Sequence, residues 1–168
     1  MKIIGVDEVG RGCLAGPVVV CAYLPTKYLD LELKDSKAYT AKKRLELSSL
    51  LRENGKFSIK WKDNFIIDKM NILQACLLAM AEAIEDLSDG TEKILIDGNQ
   101  VPSKKYFSKY PSLDIQTEIK GDARFYEIAA ASVIAKVYRD SWMEEIDQKY
   151  PGYGFASNKG CLLYTSDA

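Results

Sequence analysis

The sequence contains no histidine. That single absence removes Ser-His-Asp and Cys-His nucleophilic chemistry, histidine-assisted zinc sites and the commonest general base of enzymes. Cysteine is scarce as well: Cys13, Cys21, Cys76 and Cys161 are the four in the chain, with no paired spacing of metal-ligand type. They are read as reduced thiols, and no disulfide framework is implied. Long apolar runs are missing too. The stretch from Val18 to Leu24 is far too short to span a bilayer, and the N-terminus lacks the basic, apolar and small-residue succession of a signal peptide. The expectation is a cytoplasmic protein with no membrane partner. Charge of either sign is not in excess, since the formal net charge is −1, so nucleic-acid binding would need a local patch of cations. What survives these exclusions is acidic and metal chemistry.

What is present suits one globular domain: 168 residues, 47% hydrophobic and 28% charged. Ile3 to Val9 reads as a buried strand running into a glycine-rich turn, and Val18 to Leu24 as a second strand paired with it in a hairpin. Thr40 is placed to cap a helix reaching Glu53, which Asn54-Gly55 ends. Phe57, Ile59 and Trp61 alternate with polar residues as in a strand buried on one face. Apolar residues at helical spacing predict one helix over 68–87, then short strands at 94–96 and 115–119 and a long helix from Ala123 to about Lys149. Strands first in a meander and then alternating with helices predict an α/β fold, a mixed five-stranded sheet flanked by helices. The strand order does not follow from the sequence.

Three segments end with an acid beside glycine: Asp7-Glu8 ahead of Gly10-Arg11-Gly12, Asp97-Gly98, and Gly121-Asp122. Each has a plain structural role open to it, as a solvated strand end, a turn residue or a helix N-cap. If the strand ends converge, however, four carboxylates crowd one place, and their repulsion is relieved by protonation or by cations. Oxygen donors without imidazole or clustered thiolate suit hard ions, Mg²⁺ or Mn²⁺. Neighbouring strand residues point to opposite faces, so Asp7 and Glu8 reach one site only where the strand ends or curls.

The run Gly5-Val6-Asp7-Glu8-Val9-Gly10-Arg11-Gly12 with Leu14-Ala15-Gly16-Pro17-Val18-Val19 resembles the opening signature of type 2 ribonuclease H, specifically bacterial ribonuclease HII. Further matches follow in order: Asp35-Ser36-Lys37, Asn71-Ile72-Leu73-Gln74, Ile96-Asp97-Gly98-Asn99, Lys120-Gly121-Asp122-Ala123, Ile128-Ala129-Ala130-Ala131-Ser132, Ile134-Ala135-Lys136-Val137, Arg139-Asp140 and Tyr153-Gly154-Phe155-Ala156. The resemblance implies a ribonuclease H-like catalytic domain over residues 1–160. It implies a metal-dependent endoribonuclease using Mn²⁺ or Mg²⁺, with Asp7, Glu8, Asp97 and Asp122 as catalytic metal ligands in a two-metal mechanism. Its implied partners are RNA/DNA hybrids and duplex DNA carrying ribonucleotides, the latter nicked on the 5′ side to leave 5′-phosphate and 3′-hydroxyl ends, by a monomer. Gly10, Arg11 and Gly12 correspond to the family's sensor of the ribonucleotide 2′-hydroxyl. Lys37 is a candidate phosphate contact, with Lys104, Lys105 and Lys120 as weaker ones. Three positions depart from the pattern: Cys13 stands where the family has proline, Asn158 where its His-Lys-Gly-Tyr segment has histidine, and Cys161 where that segment has a tyrosine that stacks on a sugar. The tail 161–168 does not resemble the family, whose C-terminal helices are expected to be missing. The alternatives are another metal-dependent nuclease on the same fold, or a nucleic-acid binding module with weak or no activity.

Overall fold

The computed structural model describes residues 1–34, 36–110 and 112–161. Its centre is β1 (Ile3–Val9), whose Ile4 and Val6 are fully buried on one face. β2 (Val18–Pro25) runs back against β1, and β3 (Gly55–Lys62) against β2, both antiparallel. On the other side of β1 lie β4 (Lys93–Asp97) and then β5 (Asp114–Glu118), both parallel, so the sheet order is β3-β2-β1-β4-β5. The mixed five-stranded α/β sheet is as the sequence predicts. β2 is buried along nearly its whole length because helices cover both faces of the sheet.

One face is covered by α3 (Ile72–Leu87), which places Cys76, Met80, Ala83 and Ile84 against Ile4, Val20, Ile94 and Ile96. The other is covered by α1 (Ala41–Glu53) and by α4 (Tyr126–Lys149), whose Ala130, Val133 and Ile134 meet Val19, Cys21 and Tyr23. α4 approaches β1 closely because Gly5 has no side chain: a Cβ there would lie 2.1 Å from the Glu127 carbonyl carbon. Thr40 caps α1, its hydroxyl accepting from the Lys43 N–H at 3.1 Å.

Three expectations change. The helix predicted over 68–87 is two, α2 (Asn64–Met70) and α3, broken at Asn71, whose φ of 73° is incompatible with a helix and whose side chain caps α3 by accepting from the Gln74 N–H. α4 starts at Tyr126, because Gly121–Ala123 form a separate 3-10 turn ahead of it. Cys13 and Cys161 are joined in a disulfide rather than reduced, while Cys21 and Cys76 are free and buried. The reason is a docking the sequence does not display: the Leu14 and Ala15 N–H groups both donate to the Gly160 carbonyl, at 2.9 and 3.0 Å, which brings the two cysteine Cα atoms to 4.2 Å. A last short helix, α5 (Phe155–Asn158), precedes that contact. Asp35 and the tail beyond Cys161 lie outside the described residues, and no described helix is long and apolar enough to cross a membrane.

Candidate active site

The register of β1 on β4 ends at Val6 opposite Ile96. The next residue on each strand is an acid, so Asp7 and Asp97 stand at the C-terminal ends of adjacent parallel strands, the edge at which open α/β sheets bind ligands. β1 continues alongside β2 as far as Val9, and its alternation turns Asp7 toward α4 and Ser132, and Glu8 toward the α3 side, within electrostatic reach of Cys76. Opposite faces do not separate them here. A cavity of about 430 Å³ opens over the strand end and is lined by Asp7, Glu8 and Asp97 together.

The electrostatics follow from that crowding. Asp7 is 5% exposed, and burial raises its carboxyl well above the ordinary carboxylate value, with Asp97 adding to the rise and the Glu8 N–H, which donates to Asp7 Oδ1 at 2.8 Å, opposing it. Burial raises Glu8 as well, countered by the neighbouring Arg11 guanidinium. Asp97 Oδ1 accepts from the Gly121 N–H at 2.7 Å and the Asp122 N–H at 3.4 Å, which ties the 3-10 turn to the end of β4. The Asp122 carboxylate turns to Lys37, with 2.7 Å between Oδ2 and Nζ. Asp122 does not itself line the cavity, so the structure brings together three of the four expected acids and leaves the fourth beside them, held by Asp97 and Lys37, which do line it.

The donor set fits a hard divalent cation: every donor is a carboxylate oxygen, and two of the acids sit in surroundings that penalise their charge unless a cation balances it. Among the described residues, no three His, Cys, Asp or Glu side chains are gathered into a ready cage for an ion. Asp7, Glu8 and Asp97 line one cavity without closing into such a cage, and the Asp122 carboxylate is engaged by Lys37.

Gly10, Arg11 and Gly12 form the rim of the cavity, with Gly10 at a φ of 92°. Lys37 lies in the single 3-10 turn Ser36–Ala38, paired with Asp122 although its side chain is 80% exposed. Lys104 and Lys105 belong to another 3-10 turn, Lys105 over the Tyr106 ring, and Lys120 precedes Gly121; none of these three lines the cavity. Sequence reasoning missed Ser132, Lys136 and Arg44, which do. Ser132, Lys136 and Asp140 recur every fourth residue on α4, a polar stripe that could have been read. Asp140 pairs with Lys136 at 2.9 Å and with Arg44 at 3.9 Å, holding two cations at the cavity wall.

Three comparisons with known proteins bear on this geometry. The family model described as ribonuclease HII matches residues 4–168. A ribonuclease HII from Parabacteroides distasonis is 43% identical over 161 residues, spanning 93% of this chain and 76% of that protein. One from Chloroherpeton thalassium is 44% identical over 164 residues, spanning 94% of this chain and 78% of the relative. Among solved structures, the ribonuclease H2 of Pyrococcus horikoshii superposes with a TM-score of 0.78 at 32% identity, covering 99% of this chain and 82% of that one.

Proposed function

Because the chain belongs to the ribonuclease HII family, whose members are divalent-metal-dependent ribonucleases acting on RNA/DNA hybrids, we propose that its acidic cavity both cleaves RNA paired with DNA and nicks duplex DNA on the 5′ side of an embedded ribonucleotide. The observation that carries this reading is the convergence of Asp7, Glu8 and Asp97 on one cavity at the ends of parallel strands, with Arg11, Lys37, Arg44 and Lys136 around them. Acids would hold the ions and cations would hold the phosphates of the substrate backbone.

In this proposal Asp7, Glu8, Asp97 and Asp122 hold a pair of Mn²⁺ or Mg²⁺ ions. The chemistry such ions would supply is activation of a water and charge neutralisation at the leaving 3′-oxygen of an in-line displacement. Asp97 has a second task, since its Oδ1 accepts from the Gly121 and Asp122 N–H groups and so carries Asp122 to the site. Lys37, which pairs with Asp122 and has an exposed side chain, would be placed to meet a phosphate oxygen. Arg11, beside Glu8, is placed for an adjacent phosphate, and the flanking glycines leave backbone groups open to a 2′-hydroxyl. A monomer working in the cytoplasm is part of the same reading.

The test is a DNA duplex with one ribonucleotide, incubated with Mn²⁺, with Mg²⁺ or with a chelator. The expected products are a 3′-hydroxyl on the deoxynucleotide side and a 5′-phosphate on the ribonucleotide, formed with either ion and not with the chelator. Cleavage of a continuous hybrid without any nick at the single ribonucleotide would confine the activity to hybrids.

A further inference from the structure

We propose that Arg139 is the positioning residue of the Gly10-Arg11-Gly12 loop, setting where that loop stands over the acids without touching the substrate; this rests on the reading of the loop as the contact to the ribonucleotide strand. Among the described residues Arg139 is the largest fully buried side chain, 1% exposed, and it forms no ion pair with any of them. Its guanidinium instead donates to three main-chain carbonyls: Nε to Pro17 O at 2.9 Å, Nη2 to Ala15 O at 2.8 Å and Nη1 to Lys159 O at 2.6 Å. A cation is expensive to bury and is kept here by one planar fork that fits three fixed acceptors, a match the point charge of lysine does not reproduce.

The loop is shaped around that fork. A Cβ on Gly10 would lie 2.3 Å from Arg139 Nε, and one on Gly16 would lie 2.8 Å from Nη2, so the backbone at both ends of the segment rests on the guanidinium. Gly10 immediately precedes Arg11 on the rim of the cavity. Arg139 also sits three residues beyond Lys136, so the helix that walls the acidic cavity anchors the loop above it. Two other fastenings act on the same segment: the donation of Leu14 and Ala15 N–H to Gly160 O, and the Cys13–Cys161 disulfide.

The experiment compares Arg139→Lys with the unaltered chain on the ribonucleotide duplex, with and without a thiol reductant that opens the disulfide, alongside Mn²⁺ titration calorimetry. Loss of charge-assisted hydrogen bonds from the loop should raise KM about tenfold, with kcat held within about twofold and Mn²⁺ affinity unchanged. The rise in KM should be larger with reductant than without, because the disulfide then no longer retains the loop. If Arg139→Lys does not fold, Gly16→Ala, whose methyl would meet Arg139 Nη2 at 2.8 Å as well as Met143 Sδ at 2.6 Å, must give the same separation of KM from kcat, with Met143→Ala in the same background removing the sulfur contact without restoring KM. An unchanged KM, or a fall in kcat or Mn²⁺ affinity at unchanged KM, overturns the proposal. Arg11→Ala separates the two readings. If it leaves KM unchanged, the loop is not the substrate contact; if it raises KM while Arg139→Lys does not, only the role of Arg139 falls.

Discussion

At the scale of single residues, Asp7 illustrates how a site works against the stability of its own fold. Burial favours its protonated form in the folded state, so its unfavourable contribution is absent below the ordinary value of 3.8, grows as pH rises toward the raised folded value, and is constant above that. Asp7→Asn, whose amide oxygen can still accept from the Glu8 N–H, should therefore raise the melting temperature of the metal-free protein at pH 7. A gain of about 1 kcal/mol corresponds to roughly 2–4 °C in a chain of this size, and it should vanish below about pH 4 in a pH series of thermal melts. Asp122 and Asp140 make a second contrast. Asp122 is tied to Asp97 and Lys37, whereas Asp140 only braces Lys136 and Arg44. Asp122→Asn should lower kcat more than about a hundredfold with little change in stability, and Asp140→Asn should cost about 1 kcal/mol of stability with kcat within about threefold, measured by turnover and denaturant titration. The positions of Asp7, Glu8 and Asp97 at strand ends were legible in the sequence because an acid close to glycine at the end of an apolar run is a local pattern. The Lys37–Asp122 pair was not, since it joins segments 85 residues apart, and a buried arginine bonded to main-chain carbonyls leaves no pattern to read.

Whole elements were legible where their periodicity was uninterrupted. Strands β1, β2 and β3 and the helix α1 lie within a residue or two of expectation, because alternation, capping and turn residues all agree there. The 68–87 helix failed because its apolar spacing runs straight through Asn71, so nothing in the periodicity marks the positive φ that divides it. Strand order was hidden for a different reason: pairing of β1 with β4 is parallel and non-local, decided by which helices cover which face. The crossing of α4 over β1 depends on one residue, and this gives the third prediction. Gly5→Ala would drive a methyl into the Glu127 carbonyl, with backbone on both sides and nothing able to yield cheaply. A loss of about 3 kcal/mol or more is expected, read by denaturant titration, together with poorer turnover, because Asp7 and Ser132 face each other across the same contact.

For the molecule as a whole, the layers outside the sheet explain why no charge excess is needed to approach a nucleic acid. The net charge is −1, yet the cations that matter are concentrated around one cavity at one edge of the sheet. Composition averaged over the chain conceals that arrangement. The Cys13–Cys161 bond was illegible on the same ground, since its partners are 148 residues apart. It also makes most of the polypeptide a closed covalent circle, with residues 1–12, Asp7 and Glu8 among them, outside the circle although β1 lies at the centre of the sheet. Lys104 and Lys105 are exposed in the 3-10 turn between β4 and β5. Brief trypsin treatment should cut there, opening the circle without dividing the particle: electrophoresis should show one species of full mass without reductant and two fragments with it. Three of the acids would then belong to one fragment and Asp122 to the other, so a protease could sever the proposed catalytic set along the chain while a single sulfur–sulfur link kept all four in one molecule.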